Sequence, residues 1–384
     1  MKNLILLLSF CLILFECSSD KKSIPIIDLE KSNQSKVVNL SEMIRDICIV
    51  KLETSKESLL GPNTIYLVSK QSIIAIDNEK ILQFSINGQY IKTLAVAGKG
   101  PEEFLRVDAC ALDEVKNILY INHRGDSKNI VAFDLNSGVR IKRIPTGVDN
   151  RISQMIVVAD SILAIQPRMN KEYNLYYLST SGKIINGISP PQVRNIGLET
   201  SIKKVQNALY YMPKEYDTLY LLSNISQKPI CFFSIDNRFS IDNHVTGNFM
   251  YLSLNSTDFM IANKVHANIT LNPDGESFTM NGDKVTSYWI DKRNNFSVNE
   301  ITGFRNDYFG FDDAFDPWRN YLSVDNDLAF KVYSSIELKR LIEKALQTNK
   351  MEKEVTDRIS FLYKQLNEND NPVLLIGKLR GTKK

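Results

Sequence analysis

Three stretches of the chain repeat one plan: "ILQFSINGQYIKTL" around Phe84, "IVAFDLNSGVRIKRI" around Phe133 and "NLYYLSTSGKIING" around Tyr177. Each joins an apolar strand to a second strand through a polar turn ending in Gly88, Gly138 or Gly182, and glycine suits the φ > 0 position of a tight hairpin. Fainter copies follow at "DTLYLLSNISQKPICFF" around Leu221 and "VTSYWIDKRNNFSV" around Tyr288, so the anchors stand 49, 44, 44 and 67 residues apart. A period of about 40 to 50 residues made of antiparallel strands is that of a β-propeller blade. The stretch "RNYLSVDNDLAFKVYS", Arg319 to Ser334, supplies strands for a sixth unit, and the long fourth interval is expected to hold extra loops.

The expected fold class is therefore all-β: a six-bladed β-propeller with a C-terminal helical hairpin insertion. Short β-branched and aromatic runs alternate with Gly, Asn and Asp turns from Asp46 to Val332, which is a strand signal. An open first blade would leave strand edges exposed. The early strand "DICIVKLE" and the terminal strand "NPVLLIGKLR" are the expected closing partners. Between Ser334 and Asn371 the apolar period becomes helical. Ser334 and Glu337 have capping-box spacing, Ile336, Leu341, Ala345 and Leu346 are assigned one face, and Val355, Ile359, Leu362 and Leu366 recur at helical spacing. The expected division is 1–17 a lipoprotein-type signal peptide, 18–40 a tether, 41–333 the blades, 334–370 the helical hairpin and 371–384 the strand that closes the propeller.

The signal reading rests on Lys2, an apolar run from Leu4 to Phe15, and Cys17 followed by Ser18, Ser19 and Asp20. The run is shorter than the roughly 20 residues that span a bilayer and has the order of an export signal. Cys17 resembles the acylation site of bacterial lipoproteins, although Glu16 stands where a small residue is usual. The expected address is the cell envelope, anchored by lipid and facing periplasm or cell surface. Beyond it only Cys48, Cys110 and Cys231 remain, an odd number without metal spacing, expected as unpaired core thiols. With 47 basic and 44 acidic residues the net charge is +3, too little for a general attraction to nucleic acid. No nucleic-acid partner is expected.

Four motifs bear on chemistry. "AVAGKGPEEFLRV" has Lys99 before Gly100, Pro101 without an N–H, and Glu102 and Glu103 where phosphate would sit, so it is read as a sharp hairpin exit and not as a phosphate loop. "HRGD", His123 to Asp126, lies between two strands and is read as an intrablade turn. His123, His244 and His266 are far apart, which leaves neither a zinc pattern nor a catalytic constellation. The densest polar and aromatic cluster is "RNDYFGFDDAFDPWRN". Asp307, Asp312, Asp313 and Trp318 in it are the candidate ligand-binding residues, since aromatic faces beside carboxylates suit sugars or cations; a structural turn is the competing reading. No catalytic residue, cofactor or metal site is assigned.

"FSINGQYIKTL" followed by "GKGPEEF", "YDTLYLL" at Tyr216 to Leu222, and "NDNPVLLIGKLR" resemble the six-bladed β-propeller lipoproteins of Gram-negative envelopes, a family related in pattern to NHL-repeat propellers. Glu102 departs from the glycine usual there. The resemblance implies the fold and the envelope address and no agreed activity. The function expected is a non-catalytic envelope lipoprotein, a monomer, whose propeller is a scaffold for a protein, peptide or glycan, with the membrane met through the lipid anchor only. The alternative is a cation-dependent propeller enzyme of lactonase or lyase type, which resembles this chain in fold alone.

Overall fold

Gly88, Gly138 and Gly182 take φ values of 87°, 79° and 88°, the left-handed region that their hairpins require. Each turn joins the third and fourth strands of a sheet. The computed structural model describes residues 24–32, 34–100, 103–148, 151–168, 170, 172–189, 201–205, 208–213, 218–223, 226–236, 245–271, 278–313, 323–325, 327–348 and 351–381. These residues form a six-bladed β-propeller. From the innermost strand outward, blade 1 is Ile65–Val68, Ser72–Ile76, Lys80–Ser85 and Tyr90–Val96; blade 2 is Val107–Asp113, Ile118–His123, Asn129–Asp134 and Arg140–Pro145; blade 3 is Ile152–Ala159, Ile162–Pro167, Leu175–Ser179 and Ile184–Ile188. Blade 4 is Ser201–Val205, Ala208–Met212, Thr218–Ser223 and Ser226–Ser234; blade 5 is Val245–Asn255, Phe259–Leu271, Phe278–Asp291 and Ser297–Asn306. Blade 6 joins both ends of the chain: Ser323–Asp325, Leu328–Tyr333 and Val373–Leu379 are followed outward by Ile44–Lys51. The closing pair is antiparallel, with Leu374 opposite Val50 and Ile376 opposite Cys48.

The apolar residues on the two faces of each sheet meet those of the neighbouring sheets, so the core is divided among the blade interfaces. Ile74 and Ile81 of blade 1 pack with Leu119 and Val131 of blade 2, and Ile130 and Ile144 of blade 2 pack with Leu163 and Tyr176 of blade 3. Phe104, on the segment between blades 1 and 2, is buried in the first of these interfaces. Among the described residues, the long interval before Tyr288 is taken up by strand: the first three strands of blade 5 run 11, 13 and 14 residues.

The N-terminal segment differs from a free tether. Ile26–Asp28 adds in parallel to the outer strand of blade 4, with Ile27 opposite Phe233. Ser35–Asn39 adds in parallel to the outer strand of blade 5, with Val38 opposite Phe304. Helix α1 (Leu40–Met43) then leads into the closing strand, and Asn39 and Glu42 form its capping box. Ile27, Leu29, Val38, Leu40 and Met43 are all buried, and that burial is why the segment lies on the rim as a strap over three blades.

Helices α2 (Ser335–Thr348) and α3 (Lys353–Gln365) form the hairpin between the second and third strands of blade 6. Leu338, Ile342 and Ala345 with Ile359, Leu362 and Leu366 pack on Phe309, Phe311, Tyr333 and Val373, over the interface of blades 5 and 6. The buried stripe of α2 thus passes through Leu338 and Ile342, whereas Ile336 is 55% exposed. Ser334 Oγ accepts the Glu337 N–H at 3.3 Å. Of the three cysteines expected in the core, Cys231 lies there, with Cys110 half-buried and Cys48 exposed on the outer strand of blade 6.

Candidate functional site

The six innermost strands surround a central channel. A cavity of about 250 Å³ at mid-depth takes one or more residues from every blade, among them Leu67, Cys110, Gln154, Lys203, Ser253 and Ser323. Gln154 links blades 3 and 4 through its amide: Nε2 donates to the Ile202 carbonyl at 2.9 Å and Oε1 accepts the Ile202 N–H at 3.4 Å. Lys204 Nζ donates to the Val157 carbonyl at 2.8 Å. The ammonium group of Lys203 has no hydrogen bond or ion pair among the described residues, and burial lowers its pKa. Protein surrounds it, and the channel gives water its access.

At the channel end where the inner strands begin, a cavity of about 390 Å³ lined by blades 1 to 3 is bordered by Arg106, Arg124, Arg151 and Arg168. These arginines occupy repeated positions. Arg106 precedes the inner strand of blade 2 and Arg124 follows its second strand; Arg151 and Arg168 stand likewise in blade 3. In each blade the backbone joins the pair, since Arg124 N donates to Arg106 O at 3.0 Å and Arg168 N to Arg151 O at 2.7 Å. Asp108 sits between the two blades with its side chain 12% exposed. Its Oδ1 accepts from Arg124 Nε at 3.2 Å, and Arg151 Nε lies 4.0 Å from Oδ2, an ionic contact too long for a hydrogen bond. Asp77, also on the cavity wall, is committed to backbone N–H groups of Glu79, Lys80 and Gly61. Arg106 and Arg168 have no carboxylate partner among the described residues, and all four arginine side chains are solvent-accessible.

The two motifs read as turns have their carboxylates engaged by the protein's own groups. Arg124–Asp126 is a single 3-10 turn; Asp126 pairs with Arg143 and accepts from Asn129 Nδ2 at 2.7 Å. The Arg124–Gly125–Asp126 tripeptide therefore has its acid engaged within its own blade. In the Gly98–Lys99–Gly100 loop, Glu103 Oε2 accepts the Gly100 N–H at 2.7 Å. The protein's own carboxylate fills the place a phosphate would need. Pro101 and Glu102 lie outside the described residues.

The candidate residues read from the acidic cluster are divided by the structure. Asp307 and Asp312 border one groove of about 680 Å³ between blade 5 and the helical hairpin, together with Arg305, Lys344 and Glu352. Asp307 Oδ1 accepts the Ser41 N–H at 3.0 Å, and Asp312 lies 3.9 Å from Arg305 with its side chain 81% exposed. Asp313 faces the opposite way. Its carboxylate, 1% exposed, meets Lys331 Nζ at 3.3 Å and accepts from the Tyr333 hydroxyl, to which Asn306 Nδ2 donates at 3.0 Å. Trp318 and Cys17 lie outside the described residues. The described residues contain no group of three or more His, Cys, Asp or Glu side chains placed to hold a metal ion, and no helix among them is long and apolar enough to cross a membrane.

A family model described as a domain of unknown function, DUF4934, matches residues 24–378. The chain belongs to the DUF4934 family. No curated protein matches it. Among solved structures, a protein from Bacteroides fragilis described as exported is similar to this DUF4934 chain with a TM-score of 0.61 and 13% identity, over 94% of this chain and 100% of that one. A member of the DUF4221 family from Bacteroides vulgatus is similar with a TM-score of 0.45 and 10% identity, over 87% and 98% of the two chains. At 13% identity the first likeness shows a shared fold.

The arginine mouth was legible in part. Arg106 and Arg151 are 45 residues apart and Arg124 and Arg168 are 44 apart, the spacing of the blades themselves. The apolar and glycine anchors define that period, and applying it to the charged residues at strand ends finds the pairs.

Proposed function

We propose that this DUF4934 protein is an exported, lipid-anchored binding protein whose propeller holds an acidic ligand at the arginine-lined mouth and carries out no chemistry on it. The observation that carries the reading is the recurrence of one arginine pair in two successive blades around a single cavity. Guanidinium groups present planar forks of donors that match carboxylate, sulfate and phosphate oxygens, and a recess lined by one sign of charge concentrates ligands of the other. The mid-channel wall carries amine, amide and hydroxyl groups among its described residues. Positive charge there opposes a divalent cation, so the cation-dependent enzyme finds less support. The signal-like N-terminus and Cys17 support the address, in keeping with the Bacteroides fragilis relative, which is described as exported.

Crosslinking in intact cells tests the binding reading. Wild-type protein is expected to capture envelope components that the Arg106→Glu/Arg168→Glu variant does not, at equal expression and melting temperature. Equal capture by both rejects the arginine mouth as the binding surface. The address has its own test: Cys17→Ala is expected to move the protein from the membrane fraction to the soluble one, because acyl chains would hold it. Unchanged fractionation removes the lipid anchor from the reading.

A further inference from the structure

We propose that the arginine mouth is a site for a small dianion, a ligand carrying two negative charges on carboxylate or phosphate oxygens. This rests on the binding reading above and adds the charge and size of what is bound. Charge is the first argument. Among the described residues, four guanidinium groups share the cavity wall with the carboxylates of Asp77 and Asp108, which leaves two positive charges for a ligand to neutralise. A monoanion would leave one of them uncompensated.

Geometry is the second argument. Arg124 and Arg151 both approach Asp108 through Nε, so the Nη edges of both guanidinium groups remain available. Asp108 is a positioning residue: it sets one arginine of blade 2 beside one of blade 3 and leaves their two-donor edges for a ligand oxyanion. Arg106 and Arg168, the other members of the repeated pairs, lack carboxylate partners among the described residues and supply the second set of donors. The backbone bonds from Arg124 N to Arg106 O and from Arg168 N to Arg151 O fix both pairs to rigid sheet ends, which limits the ordering cost of binding.

Size and lining are the third argument. A cavity of about 390 Å³ lies in the range that holds a small molecule. Its described wall contains no aromatic ring, and single-stranded nucleic acid needs such rings to stack its bases. Asn63, Asn78 and Ser153 on the same wall offer neutral polar groups to the uncharged part of the ligand.

Titration calorimetry on the purified full-length protein, with inorganic phosphate at pH 8, succinate and acetate as probes, tests the inference. Phosphate or succinate is expected to bind at least tenfold more tightly than acetate, with affinity falling as salt is added. Tighter binding of phosphate assigns a phosphorylated ligand; tighter binding of succinate assigns a dicarboxylate. Arg106→Gln/Arg168→Gln should weaken either dianion at least tenfold, and Arg106→Lys/Arg168→Lys, which keeps charge and loses the fork, should weaken it less. Melting temperatures equal to wild type would establish that both variants are folded. Acetate binding as tight as the dianions, or dianion binding unchanged in the Gln variant, overturns the inference. If no probe binds while arginine-dependent capture in cells persists, the dianion assignment falls and the binding reading stands. If that capture is also absent, both fall.

Discussion

Asp312 and Asp313 are adjacent in one short strand, and the alternation of strand side chains sends them to opposite environments. Asp312 faces the hairpin groove in solvent; Asp313 closes a buried network with Lys331, Tyr333 and Asn306. Asp312→Asn should change stability by under about 0.5 kcal/mol. Asp313→Ala removes a buried carboxylate from the Lys331 ammonium, whose pKa burial already lowers, and should cost about 3 to 5 kcal/mol in a denaturant titration. Similar small losses for the two variants would show that Asp313 is not a structural anchor. Lys292 offers a pH-dependent counterpart. Burial lowers its pKa to about 8 from 10.5, against weaker opposing contributions from Cys231 and Asp258, while its ammonium donates to Asn255 Oδ1 at 2.6 Å. Cys231 is itself raised to about 12 by burial, with the Lys292 ammonium opposing the rise. Between pH 8 and 10.5 the folded state releases the Lys292 proton that the unfolded state still holds. Stability from this group is therefore lowest below pH 8 and rises by roughly 3 kcal/mol toward pH 10.5. Wild type should gain on Lys292→Met by an amount of that order when both are unfolded by denaturant at pH 7 and again at pH 10. A gap independent of pH would mean that Lys292 titrates normally.

Among elements, the hairpin turns show why similar sequence motifs tolerate change differently. A Cβ on Gly138 would meet the Lys92 side chain at 3.0 Å, whereas one on Gly88 would lie 2.2 Å from the Lys51 carbonyl oxygen in the closing strand. A flexible side chain can swing aside; a ladder carbonyl cannot. Gly138→Ala should cost about 1 to 2 kcal/mol for its left-handed φ, and Gly88→Ala clearly more, as read by thermal melting; equal losses would show that the closing strand gives way freely. The strap is a second element with a measurable share: Leu40→Ala, at a fully buried position, should cost about 2 to 5 kcal/mol. These elements were unequally legible. The glycine turns and the two closing strands could be read because each signal is local: a tight turn needs its φ, and an apolar strand near each chain end needs a partner. The strap could not, because its strands of 3 and 5 residues pair in parallel with partners far along the chain and carry no alternation of their own. Burial of Asp313 was hidden for a related reason, since Lys331 and Tyr333 reach it from the next blade. The α2 stripe was misplaced at Ile336, on the first turn, where spacing alone does not say which side meets the propeller.

For the whole molecule, the ring is closed by strands from both ends of the chain, so each blade interface depends on the last one forming. Removing residues 373–384 would take away the strand between Leu328–Tyr333 and Ile44–Lys51 and expose two edges. The truncated protein should lack a cooperative calorimetric transition and aggregate; a sharp transition near the wild-type temperature would show that five blades stand without the sixth. The repeat that dictates this closure also places one arginine pair in each of blades 2 and 3 at one end of the channel, so the fold's periodicity and the proposed ligand site have the same origin. The strap adds a mechanical property. Force applied from the N-terminal side reaches the rim of blade 4 first, at Ile26–Asp28, then blade 5 at Ser35–Asn39, and only afterwards the strand that locks the ring. Each attachment shields the next until it yields, so a protein pulled from its N-terminal side sheds its outer edges before the ring is loaded, and the mouth of the channel keeps its shape while it does.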